Sequence, residues 1–341
     1  MQEPPVDDAG LFGVPFHPEE DAIHIVGVPW EATASYGRGT SRTPLALIRA
    51  SHQLDFFDGL LGDNFGETVG MLPANPEWLA LNQRCIQLAD PIIAAGGPVD
   101  AQLARAQTEV NAASRRINED LYQTAQSLLQ QGKLVGVLGG DHSSPLGLMK
   151  ACLEFFPGTA VLHIDAHHDL RVAYEGFTYS HASIMYNLLN EVPQLAALVS
   201  VGIRDFCSDE HQLAVDHPKV VSFYDRDLKR AMFRGGSWQS SCASILEALP
   251  MSVYISFDID GCSPGFCPNT GTPVPGGLSY DQAIYLLESV VESGRRVVGF
   301  DLCEVAPNPH HPDREWDLNV GARLLHKLCV LLSISRDFPG V

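Results

Sequence analysis

Three short stretches of this chain carry residue types that bind cations. Gly139-Gly140-Asp141-His142 follows the apolar run Leu134 to Leu138, Asp165-x-His167-x-Asp169 follows Ala160 to Ile164, and Ser256-Phe257-Asp258-Ile259-Asp260 closes a run that begins at Ser252. In an extended backbone, side chains two positions apart share a face. Asp165, His167 and Asp169 are therefore expected to point one way, as are Asp258 and Asp260. His163 falls on the same alternating set one step deeper, where a core role is expected. Taken alone, Asp-x-His-x-Asp reads equally well as a polar loop after a strand. Taken together, the stretches offer His142, Asp165, His167, Asp169, Asp258 and Asp260 as ligands. Four carboxylates cannot sit together ionised without cations. Two divalent ions would offset them, and an oxygen-rich set with imidazoles suits Mn²⁺ better than a thiolate-preferring zinc site. Two close ions can share a water and lower its pKa, providing hydroxide at neutral pH.

Such convergence needs strand ends on one edge of a sheet. Short apolar runs at Ala22–Val28, Leu134–Leu138, Ala160–Ile164, Leu198–Ile203, Val220–Tyr224, Ser252–Phe257 and Arg296–Leu302 read as strands. Helical stretches separate many of them. Ala101 to Gln131 lacks Pro and Gly and reads as one long helix, ended by Gly132. Ser279-x-x-Gln282 is a capping box opening another. Thr43-Pro44 reads as a cap and first helical position, with Leu45, Leu47 and Ile48 facing inward. A final amphipathic helix is expected over Leu318–Leu332. Strands alternating with helices predict an α/β fold with a parallel sheet covered on both faces. A single domain is expected, with an irregular arm over about 1–20 and an insertion or partner-contacting segment over about 55–98.

Composition narrows the function classes. The chain has 341 residues, 45% hydrophobic and 18% charged, with a formal net charge of −19. That charge repels phosphate backbones and argues against nucleic-acid partners, while favouring cationic ligands. No apolar stretch approaches the roughly 20 residues needed to span a bilayer. No secretory signal is visible, and the 8 cysteines are scattered without a Cys-x-x-Cys pair, so a cytoplasmic location with reduced thiols is expected.

The three motifs, in this order, resemble the ureohydrolases: arginase, agmatinase, guanidinobutyrase and formimidoylglutamase. The resemblance spans most of the chain. It extends to Val28-Pro29 through Arg49, to Gly271-Thr272-Pro273 with Gly276-Gly277-Leu278, and to Asp301-Leu302-Cys303-Glu304-Val305. It implies a three-layer α/β/α fold with a parallel sheet of about eight strands. It also implies two Mn²⁺ per subunit held by the six residues above, Asp169 serving catalysis as well, in a trimer or hexamer. Glu304 matches the glutamate that pairs with the substrate's guanidinium. His181, in Tyr179-Ser180-His181-Ala182, matches a mobile histidine that relays protons; its structural alternative is a packed or exposed side chain. Thr272 either touches the substrate region or merely precedes Pro273 in a turn.

Three departures from the family pattern matter. Arg171 replaces an Asn of arginase that holds the amino-acid end, and Cys207 replaces an Asp that binds the α-amino group; these two count against arginine. Ser263 replaces an Asp that supports the ligands, which touches that support rather than the six ligands themselves. The leading expectation is manganese-dependent hydrolysis of a small cationic guanidino compound, agmatine or a relative, to urea and an amine. Asp-Leu-Arg after the histidine instead resembles formimidoylglutamases, with Arg171 meeting a carboxylate. A metal-binding member without catalysis, serving as a regulatory or scaffold subunit, is the alternative of another class. Zinc deacetylases lack the second aspartate pair and a Glu304 equivalent, and metallophosphatases need a Gly-Asn-His element absent here.

Overall fold

The computed structural model describes residues 10–60, 62, 69–310 and 316–337. In chain order its strands are β1 (Ile23–Val28), β2 (Val69–Met71), β3 (Leu134–Gly139), β4 (Ala160–Ile164), β5 (Leu198–Ile203), β6 (Val220–Tyr224), β7 (Ser252–Asp258) and β8 (Arg296–Cys303). They form one parallel sheet in the order β2-β1-β3-β8-β7-β4-β5-β6. Because β8 and β7 come late in the chain yet lie between β3 and β4, the ends of β3, β8, β7 and β4 are neighbours. The three ligand-bearing stretches and Glu304 are thus delivered to adjacent positions on the carboxyl edge, where open α/β sheets bind ligands.

Alternation along the strands divides the interior into two apolar layers. Ile23, Ile25 and Leu138 pack on one face with Leu47, Ile245, Leu286 and Leu325. Val26, Val28, Val135 and Val137 pack on the other with Trp78, Ile117, Leu121 and Leu148. The helices of the first face are α1 (Thr43–Ser51), α8 (Trp238–Glu247), α9 (Tyr280–Glu292) and α10 (Trp316–Ile334), with Leu228 of α7 (Asp225–Phe233). Those of the second are α2 (Pro76–Ala94), α3 (Ala101–Gln130), α4 (Leu146–Phe155) and α5 (Ile184–Glu191), with Ala214 of α6 (Ser208–Asp216). This is the expected three-layer sandwich. Gly136 in β3 shows how tightly it is filled: a Cβ there would sit 2.5 Å from the ring of Phe300 on β8. No helix among the described residues is long and apolar enough to cross a membrane.

Several local expectations are corrected. Thr43 does not cap α1; it lies inside the first turn, and its hydroxyl donates to the carbonyl of Val305, beside Glu304. Leu47 faces the core, but Leu45 is half exposed. The arm falls partly outside the described residues (1–9), while Leu11 and Phe12 are buried in a short turn whose Phe12 amide donates to Ser51 Oγ at 2.8 Å. Segment 55–98, expected as an insertion or partner contact, supplies the edge strand β2 and the helix α2. Asn75 caps α2 ahead of Pro76, accepting from the amides of Glu77 and Trp78. Buried Asn82 on α2 accepts the Glu31 amide at 2.9 Å. Glu31 Oε2 in turn accepts from the amides of Gly39 and Ser41 and the hydroxyl of Thr40. Thus α2 holds the loop after β1 in place. Replacing Asn82 by Ala leaves the Glu31 amide buried without an acceptor. The expected loss is ~1–3 kcal/mol, seen as a lower urea midpoint with an unchanged slope. An unchanged midpoint would show that α2 does not anchor this loop.

Candidate metal centre and active site

The chain leaves the sheet after Ile164, and beyond that point it is not simply extended. Asp169 has φ 53° and Glu304 φ 61°, left-handed conformations that are costly for residues with a Cβ. Both are held firmly. The Asp169 carbonyl accepts from the amides of Met185 and Tyr186 at the start of α5, and the Glu304 amide donates to Gly140 O at 2.9 Å. Glu304 Oε1 then accepts the His142 amide at 3.0 Å, so the end of β8 is pinned to the end of β3. A Cβ on Gly140 would lie 2.0 Å from Trp30 O, which explains the glycine there. Asp141 ties the same loop to its surroundings, accepting from Ser143 and from Thr33 Oγ1.

All six sequence-predicted ligands come together. His142 Nδ1 lies 2.9 Å from Asp165 Oδ2, 3.0 Å from Asp169 Oδ2 and 3.4 Å from Asp258 Oδ2. His167 Nδ1 lies 3.1 Å from Asp260 Oδ2 and 3.4 Å from Asp165 Oδ1. Two groups with the spacing of a cation site result, sharing Asp165: His142, His163, Asp165 and Asp169, and Asp165, His167 and Asp260. The four aspartates and His142 are buried, and His167 is half-buried.

The tautomer of His142 tests whether cations fit. Ser256 Oγ donates to Asp301 Oδ1 at 3.1 Å, so its oxygen is left to accept from His142 Nε2–H at 2.8 Å. The Nδ1 lone pair then faces three carboxylates. Lone pairs and anions at these distances repel unless a proton or a cation lies among them. Burial alone would lower the His142 pKa, yet Asp165 and Asp169 hold it well above the usual range. His167, against the same burial, is carried up to about 12 by Asp260 and Asp165. Burial and then Asp165 push Asp169 up to about 7; burial and then Asp260 push Asp258 well above the carboxylate range. Asp165 goes the other way: although burial would raise it, His163, His142 and His167 hold it well below. The cluster thus gathers protons to offset its charge, and the donor set fits two divalent cations in their place.

Residues around the ligands were only partly apparent in the sequence. Ser256 lies on the inward alternating set with Asp258 and Asp260, a signal that could have marked it and its partner Asp301. Burial raises Asp301 to about 6, leaving it an acceptor near neutrality. His163, expected in the core, is buried but polar in role: Nε2 is 2.9 Å from Asp165 Oδ2 and Nδ1 is 3.1 Å from Ser200 Oγ. His168 turns away and packs against Phe206 and Tyr224. Thr272 donates to Asp260 Oδ2 at 3.3 Å.

His181 opens a short turn capped by Ser180. Its Nε2 lies 3.1 Å from Ser35 Oγ and its Nδ1 3.9 Å from Glu304 Oε1. Burial, then the positive field of His167, lowers it to about 3. The loop before it is fastened to α3, with Gln107 and Asn111 donating to Gly176 O and Asn111 accepting the Thr178 amide. Glu304 Oε2 is buried without a hydrogen-bond partner among the described residues, and burial, then Asp141, drives this carboxyl well above its ordinary range. Arg171 lies at the mouth, its Nε 3.5 Å from Glu210 Oε2 and its guanidinium 4.6 Å above the Tyr174 ring. His167, Asp169, Arg171, His181 and Thr272 line one cavity of about 400 Å³.

The structure is thus an eight-stranded parallel α/β sheet with two His/Asp groups of cation-site spacing at its carboxyl edge. The family model for the arginase family matches residues 21–330. N(1)-aminopropylagmatine ureohydrolase of Thermus thermophilus is 35% identical over 299 residues, 87% of each chain. The enzyme of the same name from Synechocystis is 30% identical over 84% of this chain and 82% of its own. In fold, proclavaminate amidino hydrolase of Streptomyces clavuligerus superposes with a TM-score of 0.71 at 22% identity, covering 97% of this chain and 99% of its own. The chain belongs to the arginase family, as an agmatinase-like ureohydrolase.

The charge balance has two measurable consequences. Cation binding must displace protons from groups whose pKa values are raised, so Mn²⁺ affinity should rise with pH between about 6.5 and 8, with proton release seen as buffer-dependent heat in titration calorimetry. Ser256→Ala should weaken Mn²⁺ binding roughly 10–100-fold by freeing the His142 tautomer; equal affinity in the variant would deny the relay its role.

Proposed function

We propose that this chain hydrolyses a guanidino compound of the agmatine or aminopropylagmatine kind to urea and an amine. One observation carries the reading: Glu304, a buried carboxylate beside the His/Asp cluster with one oxygen unpartnered among the described residues. A buried anion without a partner is costly, and a guanidinium would supply both charge and hydrogen bonds. His142, Asp165, Asp169 and Asp258 would hold one divalent ion, and Asp165, His167 and Asp260 the other; Mn²⁺ suits this hard donor set. Divalent ions held there would acidify water, so that hydroxide would be available near neutral pH.

The chain's own residues do the rest. Glu304 orients the head so that its central carbon faces the aspartates, converting an encounter into a positioned reaction. Water adds at that carbon and the bond to the tail nitrogen breaks. His181, neutral near pH 7, accepts a proton and passes it to the departing amine. Ser35 Oγ fixes the imidazole's orientation. The formimidoylglutamate reading is less favoured, because Arg171 is already paired with Glu210 and stacked on Tyr174. The family resemblance further suggests a trimer or hexamer working in the cytoplasm.

The test is product NMR of the Mn²⁺-loaded protein with agmatine, N(1)-aminopropylagmatine, 4-guanidinobutyrate and formimidoylglutamate. Urea from a cationic guanidine supports the proposal; formamide from formimidoylglutamate alone, or no product with metal bound, refutes it. Glu304→Gln should lower kcat/KM at least roughly a hundredfold through lost positioning, while still binding metal.

A further inference from the structure

We infer that Asp205 selects the substrate's tail, favouring guanidino compounds that carry a second cation. The inference rests on the activity proposed above. The cavity over the His/Asp cluster is larger than a guanidinium head requires, so a tail must run along its wall. Asp205 lies on that wall, exposed, with its amide 3.1 Å from Ala166 O and its backbone bridged to His167. It therefore stands one residue pair away from the reacting centre, at a fixed place.

The charges around Asp205 single it out. Arg204 turns inward, donating to the carbonyls of Asp260, Cys262 and Val274. Arg171, the other guanidinium nearby, is held by Glu210 and Tyr174. Glu210 is consumed as well: it is buried and accepts from the amides of Leu170 and Cys207. Asp205 is thus the carboxylate of the outer wall left without a cation among the described residues. A tail ammonium would meet it, while a tail carboxylate would be repelled. Position and charge, rather than burial, give the residue its role: the pair is partly solvated, so discrimination is moderate and falls with added salt.

The experiment compares agmatine with n-butylguanidine, which has the same carbon chain and no tail ammonium, on Mn²⁺-loaded protein. Asp205→Asn should raise KM for agmatine roughly three- to tenfold, leave kcat nearly unchanged, and leave KM for n-butylguanidine unchanged. Added NaCl should shrink the wild-type preference but not that of the variant. Asp205→Lys should go further, lowering KM for 4-guanidinobutyrate while raising it for agmatine. If Asp205→Asn shifts both KM values equally, or neither, Asp205 does not read the tail, and the proposed activity stands. If the wild type releases urea from no guanidine, the activity falls and this assignment falls with it.

Discussion

The mutual repulsion of Asp165, Asp169, Asp258, Asp260 and Glu304, all buried at one sheet edge, is the constraint around which the structure is arranged. Left alone, such a group recruits protons: His142 and His167 are driven to the imidazolium form, and Asp258 and Glu304 toward the neutral acid. The fold resists collapse of this arrangement with hydrogen bonds from outside it. Asp260 accepts the Ala166 amide, Asp258 accepts the Asp260 amide, and Ser256 with Asp301 fixes His142. The left-handed backbones of Asp169 and Glu304 belong to the same design, since strained residues persist only where their surroundings determine them.

Much of this could be read from the chain. Seven of the eight strands were visible as short apolar runs, while the three-residue edge strand β2 was not; a parallel sheet with late strands inserted at its centre brings their ends together. What pattern reading could not supply was contact between distant loops. Ser35 lies in a loop of no periodicity, yet α2, itself obscured by Gly and Pro around it, fixes that loop through Asn82 and Glu31. Thr43 carried a capping signal and is used instead to tie α1 to Val305. Alternation predicted that Asp165, His167 and Asp169 share a face; they converge, but through a turn with a left-handed Asp169 rather than along an extended strand. The pairing of Arg171 with Glu210 joins residues whose proximity depends on β5 lying beside β4.

That pairing matters for the substrate. Arg171 suggests an anionic tail when seen in sequence, but in the fold its charge is offset and its plane covered.

The most direct test of the central claim is metal stoichiometry with electron paramagnetic resonance of the dialysed, Mn²⁺-reconstituted protein. Two ions per chain with an exchange-coupled spectrum would show a pair sharing a carboxylate, as the position of Asp165 between His142 and His167 requires. One isolated ion, or none retained, would mean that protons rather than cations balance the cluster, and would contradict the account.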